Sequence, residues 1–305
     1  MKNIELTLET VIILIIILVI CYNLYNLNMG YNILNINSDL DLTHNKKLKS
    51  HEKRLRNWYP MGEDKFCLDH GKDYCKFFRR LGELHMHICM DKNKDIIGTC
   101  AMILRQIHLQ QSSDVTTNIW YLSDLKIEKD YRGKHIPYQI LTKNIIGKYF
   151  KSNKSYGITM DDKKNARVVD ICKKNSYLNI KLNPAGKLYL YTVDCELMKL
   201  LHTVLSTNRG RIGYKSLEGV KDIILKSTKA PMQLLHVQWG KLGTFEGEGT
   251  YDYPIEGYSH MFCLHENDPL KQMLDNLNIT TDVTATIVQY NMDDVDWSFV
   301  LTSDI

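Results

Sequence analysis

The stretch Ile119–Pro137, which reads IWYLSDLKIEKDYRGKHIP, decides the fold of this chain. Its apolar and aromatic first part predicts a strand over Ile119–Ile127. A basic loop that contains a glycine follows, and Pro137 then begins a helix at a position where its missing N–H costs nothing. The exposed amides and the positive end of a helix dipole, together with Arg132 and Lys134, predict a cradle for a diphosphate. An ordinary strand-to-helix turn is the alternative.

The segments around this stretch alternate between strands and helices. Apolar runs at Leu84–Cys89 and Ile96–Leu104 flank a polar turn and predict a hairpin. The remaining elements are predicted downstream, namely a helix over Pro137–Phe150, a strand over Tyr156–Met160, a helix over Asn165–Lys174 and a strand over Lys187–Val193. We therefore expect an α/β fold in which helices flank a mixed sheet.

Two sets of residues resemble motifs of the GNAT-type N-acetyltransferase superfamily. The acetyl-CoA motif of that family, R/Q-x-x-G-x-G/A after a strand ending L-x-V-x-P-x-Y, is similar to Leu125, Ile127, Tyr131, Arg132, Gly133, Lys134 and Ile136. His135 stands where the family motif has its first glycine, and Pro137 where it has its second. The frame N-x-x-A-x-x-L-Y-x-K-x-G-F is similar to Asn165, Val168, Ile171, Cys172, Lys174, Ser176 and Tyr177. The resemblance covers roughly residues 59–194.

The resemblance implies a GNAT-like sheet, acetyl-CoA as cosubstrate and an amine acceptor that attacks the thioester directly. It also implies a set of cofactor-binding residues, namely Leu125, Lys126, Ile127, Arg132, Gly133, Lys134, His135, Ile136, Pro137 and Asn165. Asp124 is the candidate general base, with a hydrogen-bonded strand residue as the alternative. Cys172 occupies the place of the usual acid and is the candidate general acid, with a buried core residue as the alternative. Tyr121 and Ser123 are weaker candidates.

The second half of the chain also alternates between strands and helices. Asp194 is a predicted N-cap for a helix that ends near Gly210, and Pro269 is predicted to begin another helix. Ile212–Leu217 and Lys221–Leu225 suggest two strands, or a strand and a short helix. Further strands are expected over Leu234–Trp239, His260–Leu264, Val283–Tyr290 and Trp297–Leu301. The stretch Thr244–Glu256 is either a solvated loop or a lid with acidic and aromatic contacts. We expect residues 195–305 to form a second α/β domain, and a degenerate second GNAT-like half is one form of it.

The N-terminal part is apolar and lacks charge. No charged residue occurs from Thr10 to Ser38, and Val11–Cys21 is an unbroken apolar run. After a short tail at 1–9, we predict a single transmembrane anchor at 10–29, with a signal peptide or a buried helix as alternatives. A polar and then basic stalk is predicted at 30–58, ahead of the domain at 59–194. Its Lys and Arg residues favour a cytosolic catalytic domain.

The composition excludes several classes of protein. Hydrophobic residues make up 44% and charged residues 24% of the 305 residues, which excludes a wholly disordered chain. A net charge of +4 is too small to indicate a nucleic-acid partner. His85, His87 and Cys89 share one strand face, but their spacing matches no zinc module, so we expect no metal.

Three functions fit these observations. The first is a membrane-anchored acetyltransferase that acts on an amine. The second is a two-lobed enzyme that resembles N-myristoyltransferases and uses a long-chain acyl-CoA. The third is a GNAT-fold binding module without activity, which the replacements at His135, Pro137 and Cys172 favour.

Overall fold

The computed structural model describes residues 31–36, 41–109, 115–143, 145–161, 182–240 and 249–305. Several sequence predictions lie outside these ranges, namely the anchor at 10–29, the helix over 165–174, and the candidate residues Asn165 and Cys172. Within the described ranges, none of the helices has the length and apolar character that crossing a membrane requires.

The first half of the chain contains strands β1–β8 and helices α1–α4. Their bounds are β1 Tyr31–Ile36, α1 Leu42–Arg54, β2 Tyr59–Met61, β3 Asp64–Asp69, α2 Lys76–Arg79, β4 Glu83–Asp91, β5 Ile96–Ile107, β6 Thr117–Ile127, α3 Ile136–Thr142, α4 Ile145–Lys151, β7 Ser155–Met160 and β8 Asn183–Val193. The second half continues with α5 Cys195–Arg209, β9 Ile212–Ser216, β10 Asp222–Leu225, β11 Leu234–Trp239, β12 Thr250–Tyr251, β13 Ser259–His265, α6 Pro269–Asn276 and β14 Thr284–Tyr290.

One mixed sheet runs through both halves. In the described residues it has 11 strands in the order β1-β4-β5-β6-β7-β14-β8-β13-β11-β9-β12. The β6–β7 and β11–β13 pairs are parallel, whereas the other neighbours are antiparallel. A small second sheet has the order β10-β3-β2. The predicted α/β class with a mixed sheet is confirmed.

Local signals set the ends of several elements as predicted. The Asp91 carboxylate accepts hydrogen bonds from the Asn93 and Asp95 amides, both at 2.9 Å, and closes the turn between β4 and β5. Asp194 accepts from the Leu197 amide at 2.8 Å and caps α5. Gly210 ends that helix with a φ of +77°, which glycine adopts without steric cost.

Two predicted elements differ from the structure. The single helix predicted over Pro137–Phe150 is broken at Lys143, whose backbone is extended and whose ammonium group donates to the Ile33 carbonyl of β1. The strand predicted over Trp297–Leu301 is wrong. A 3-10 turn forms at Trp297–Phe299 instead, because the Asp296 carboxylate accepts from the Ser298 amide at 2.9 Å.

The segment that we predicted as a stalk contributes an edge strand and a packed helix to the sheet unit. β1 pairs antiparallel with β4, and α1 buries Leu48, His51 and Glu52. The sheet also continues past the predicted domain boundary at Asp194. β14, from the predicted second domain, lies between β7 and β8 of the predicted first domain.

Candidate active site

Strands β6 and β7 part after a short stretch of pairing, and we call the gap beyond Leu122 the cleft. Among the described residues, the two strands pair only from Trp120–Ser155 to Leu122–Gly157. The register with β5 on the other side shifts between Thr99 and Ala101, opposite the segment 123–126. This is a β-bulge, and bulges re-aim strands beside functional sites. Past Leu122 the backbone of β6 therefore presents an edge that β7 does not cover.

Asp124 forms the centre of the bulge. Its φ is +54°, a left-handed conformation that costs a non-glycine residue about 1–2 kcal/mol. Its carbonyl accepts a hydrogen bond from the Thr99 hydroxyl at 3.1 Å. Its carboxylate accepts from the Tyr74 hydroxyl and lies 2.5 Å from the Lys126 ammonium. These bonds hold the strained backbone in place.

The partners of Asp124 are buried with it. The Asp124 side chain is 6% exposed. Burial lowers the pKa of Lys126, but the Asp124 carboxylate outweighs burial and the net shift is upward. Burial, followed by the charge of Asp124, raises the pKa of Tyr74 well above its usual value. Both partners therefore keep their protons at neutral pH. The role of Asp124 as general base stays a prediction, and its observed contacts are those of a residue that positions the bulge.

The three residues after Asp124 point in different directions. Leu125 is 45% exposed and offers an apolar surface at the cleft. Ile127 packs with the buried Ile136 at the start of α3. Lys126 directs its ammonium group back to Asp124, so only its backbone is placed beside the cleft.

The predicted diphosphate loop follows β6 directly. Arg132, Gly133, Lys134 and His135 are exposed, and Ile136 is buried. The Arg132 Nε donates to the Ile127 carbonyl at 3.1 Å, which ties the loop to the end of β6. The Lys134 ammonium lies 4.5 Å from the Tyr131 ring centroid. The structure thus places both cations on one loop with their charges open to solvent.

The backbone of this loop is left-handed at two positions. Gly133 has a φ of +80° and His135 a φ of +57°. His135 stands where the resembled motif has glycine, and glycine adopts this conformation without steric cost. At the start of α3 the Gln139 amide donates to the His135 carbonyl at 3.1 Å. Pro137 has no N–H to offer a ligand.

A buried ion pair, which the sequence analysis missed, lies on the Tyr121 side of the sheet. The Tyr121 and Tyr156 rings stack with centroids 4.8 Å apart. Arg105 donates to the Tyr156 hydroxyl at 2.6 Å and to the Asp304 carboxylate at 2.6 Å. Burial raises the pKa of Asp304, but Arg105 and Arg80 outweigh burial and the net shift is downward. The sequence signal that could have indicated this ion pair is Arg105 itself, a charged residue directly after the apolar run Ile96–Leu104.

Tyr121 is a buried side chain, and His85 and His87 each lie close to a charged side chain. Tyr121 is 2% exposed, and its pKa is raised, chiefly by burial. His85 lies 2.9 Å from the Glu83 carboxylate, and His87 lies 3.2 Å from the Lys148 ammonium. In the part of the chain that the structure describes, no group of three or more His, Cys, Asp or Glu side chains is arranged to hold a metal ion.

Comparison with known proteins gives one relative in sequence and several similar structures. No family model matches the chain. An uncharacterized protein of Acanthamoeba polyphaga mimivirus is 27% identical over 237 residues, which are 76% of this chain and 68% of that protein.

Several acetyltransferases of known structure are similar to part of this chain. Arabidopsis thaliana NAA60 in complex with acetyl-CoA is 12% identical, with a TM-score of 0.35 over 52% of this chain and 87% of that chain. The aminoglycoside 6'-N-acetyltransferase AAC(6')-Ih of Acinetobacter baumannii is 15% identical, with a TM-score of 0.33 over 46% of this chain and 86% of that chain. A GNAT family acetyltransferase of Staphylococcus aureus is 14% identical, with a TM-score of 0.31 over 45% of this chain and 80% of that chain.

Proposed function

We propose that this chain transfers an acetyl group from acetyl-CoA to an amine. One observation carries the proposal: the bulged strand β6 leaves β7 just before a loop with two exposed cations. The strand edge that β7 leaves unpaired is followed directly by the cationic loop. This arrangement suits an extended cosubstrate that has amide groups in one part and a diphosphate in the next.

The residues present fit acetyl-CoA as a substrate. On the side away from β5, where β7 does not pair with it among the described residues, the backbone of residues 123–127 is placed to bond the pantetheine arm as a neighbouring strand would. Leu125 offers it an exposed apolar side chain. Arg132 and Lys134 are exposed cations that suit charge-assisted bonds with the pyrophosphate. Within the loop, His135 adds a side chain at a left-handed position, where the resembled motif has glycine.

The transfer needs a hydrogen-bond donor to the oxyanion that develops on the thioester carbonyl, and a group that accepts a proton from the attacking amine. A backbone amide at the bulge is held rigidly by the Asp124 network and is suited to polarise the thioester carbonyl. The amine nitrogen then forms a bond to the carbonyl carbon, and the carbon–sulfur bond breaks. The CoA thiolate leaves and takes up a proton. Cys172, the predicted donor of that proton, lies outside the described residues.

Calorimetric titration of the full-length chain with acetyl-CoA, CoA and myristoyl-CoA tests the proposal. We expect micromolar binding of acetyl-CoA, without a preference for the longer chain. Preference for myristoyl-CoA would favour the two-lobed enzyme, and binding without turnover of any amine would favour the inactive module. Failure of all three ligands to bind would refute the proposal.

A charge-matched pair of variants locates the binding site. Arg132→Ala combined with Lys134→Ala removes two charge-assisted bonds of about 1.5 kcal/mol or more each, so we expect acetyl-CoA to bind about 100-fold more weakly. Lys72→Ala combined with Lys92→Ala removes the same charge from exposed positions elsewhere, and we expect an unchanged affinity. Equal affinities in the two variants would contradict the loop assignment.

A further inference from the structure

Helix α1 is bound to two other segments at one end of the large sheet. Lys47 donates to the Lys94 carbonyl, in the turn between β4 and β5, at 2.5 Å. Arg54 donates to the Ile96 carbonyl at 3.0 Å and, through its Nε, to the Glu128 carboxylate directly after β6 at 3.1 Å. These bonds hold α1 against that turn and against the start of the loop that follows β6.

The first residue of β1 lies at the same end of the sheet. Tyr31 pairs with Asp91, the last residue of β4, and its hydroxyl donates to the Lys134 carbonyl at 3.2 Å. In the sequence, β1 follows the unbroken apolar run Val11–Cys21, and no charged residue occurs from Thr10 to Ser38. An apolar run and an uncharged segment therefore lead into the sheet beside the loop that follows β6.

Basic residues are concentrated in the segments that meet here. Residues 41–54, 91–95 and 127–135 contain 10 Lys and Arg residues and 6 Asp and Glu residues, a net charge of +4 that equals the net charge of the whole chain. We call the exposed face of these three ranges the basic end of the sheet. Five of its lysines are exposed and lie outside the proposed diphosphate contacts, namely Lys46, Lys53, Lys92, Lys94 and Lys129.

The acidic residues of this end are chiefly occupied within the protein. The Asp41 carboxylate caps α1, the Asp91 carboxylate closes the turn after β4, and the Glu128 carboxylate pairs with α1. Asp95 and Asp130 are exposed, and each follows an exposed lysine in the chain. The lysines outnumber these exposed acids, so the surface that stays open to a partner is basic.

An anionic membrane is the partner that suits both the apolar run and the lysines. Apolar side chains such as those of Val11–Cys21 favour hydrocarbon over water. A lysine near the surface of an anionic bilayer strengthens binding about fivefold, and stable attachment to a membrane usually takes two such signals together. A nucleic acid or a free phosphate would bind the lysines but would leave the apolar run without a partner.

We propose that the basic end of the sheet docks on a membrane that contains anionic phospholipid, with its five exposed lysines toward the headgroups. Docking in this way places the loop that follows β6 close to the membrane surface, because Tyr31 and α1 are both bound at that loop. The proposal does not depend on the acetyl transfer, since the five lysines are separate from Arg132 and Lys134.

The first experiment measures binding to vesicles. The full-length chain is sedimented with vesicles of phosphatidylcholine alone and with vesicles that also contain about 30% phosphatidylserine. We expect binding to the anionic vesicles to be about 100-fold stronger, and we expect high salt to reduce this difference, because salt screens exposed charges. Equal binding to both kinds of vesicle, or binding to neither, would overturn the proposal.

A charge-matched pair of variants locates the docking surface. The first variant changes four lysines of the basic end to glutamine and should bind anionic vesicles about 100-fold more weakly; these are Lys46, Lys53, Lys92 and Lys129. The second variant changes four exposed lysines elsewhere to glutamine and should bind as the wild type does; these are Lys65, Lys187, Lys199 and Lys226. Equal losses in the two variants, or no loss in the first, would overturn the proposal.

Chemical labelling of the wild type tests the same surface without a substitution. Exposed lysines are acetylated with sulfo-NHS-acetate, with and without anionic vesicles, and the labelled peptides are quantified by mass spectrometry. We expect the vesicles to protect Lys46, Lys92 and Lys129 and to leave Lys65 and Lys226 as reactive as before. Equal protection of the two sets would overturn the proposal. Protection of the first set by RNA but not by vesicles would assign the surface to a nucleic acid and would overturn it as well.

Discussion

Asp304→Asn should destabilise the protein, because it leaves a buried arginine without its counter-charge. Arg105 is 6% exposed, and its guanidinium lies 2.6 Å from the Asp304 carboxylate. Removing one partner of a buried ion pair typically costs about 3–5 kcal/mol. Arg80, the second partner of Asp304, is 26% exposed on its side chain and can turn to water. Since Arg105 also keeps its bond to the Tyr156 hydroxyl, we expect a loss of about 3 kcal/mol.

The measurement is urea denaturation at pH 7, followed by tryptophan fluorescence. Trp297 lies 5.8 Å from the Tyr156 ring and reports on this region. Arg105→Met in the same chain as Asp304→Asn removes the unpaired charge, and we expect this double variant to be more stable than Asp304→Asn alone. A loss below about 1 kcal/mol for Asp304→Asn would show that the ion pair does not anchor the C-terminus. A double variant with additive losses would show that the two residues act separately.

The same ion pair predicts a dependence of stability on pH. The folded protein holds the pKa of Asp304 below its usual value, so the folded state binds this proton less readily than the unfolded state does. Its contribution is therefore complete above the pKa of the unfolded state, about 4, and is lost as the pH falls through the folded pKa. Asp304→Asn should lose part of this dependence, and denaturation between pH 3 and 7 measures it.

Three further predictions concern other residues. Tyr74→Phe removes a donor from the buried Asp124 carboxylate and should lower the free energy of unfolding by about 1–3 kcal/mol, measured by urea denaturation. Glu52→Gln should cost about 3 kcal/mol at pH 7 and less as the pH approaches 2, since the folded state lowers the Glu52 pKa from 4.5 to about 2; an equal loss at both ends would contradict this. Asn153 and Asn278 are exposed glycosylation sequons, and we expect neither to be modified in eukaryotic cells, because cytosolic acetyl-CoA is the proposed donor; a glycosidase-sensitive mass shift would contradict this.

The sequence predicts the local elements of the fold better than their order. Apolar runs and caps such as Asp194 act over a few residues, so β4, β5, β6 and α5 form where the pattern places them. The strand order depends on contacts between distant segments, which periodicity does not show. β1 was missed for a similar reason: its asparagines made the stretch from Tyr31 to Ile36 look like part of a polar linker, although it pairs with β4 at the edge of the sheet.

In the candidate site too, features built from consecutive residues could be predicted, whereas contacts between distant segments could not. The position and exposure of the loop from Arg132 to Pro137 could be predicted, because the loop is built from consecutive residues, and its role as a diphosphate cradle stays a prediction. The pairing of Asp124 with Tyr74, and that of Arg105 with Asp304, could not be predicted, because each joins segments that are far apart in sequence. Asp124 shows the limit of reading chemistry from position alone. A carboxylate beside the expected thioester suggested a base, whereas its burial among a lysine and a tyrosine suits the support of a bulge.

Strand β14 joins the two predicted domains into one sheet. It lies between β7 and β8, and β7 is one wall of the cleft at β6. The turn at Thr302–Asp304 also reaches the first half of the chain, because the Asp304 carboxylate pairs with Arg105 of β5. Residues 59–194 supply the predicted cosubstrate loop, and the C-terminal half supplies the strand β14 and the Asp304 carboxylate that pairs with Arg105.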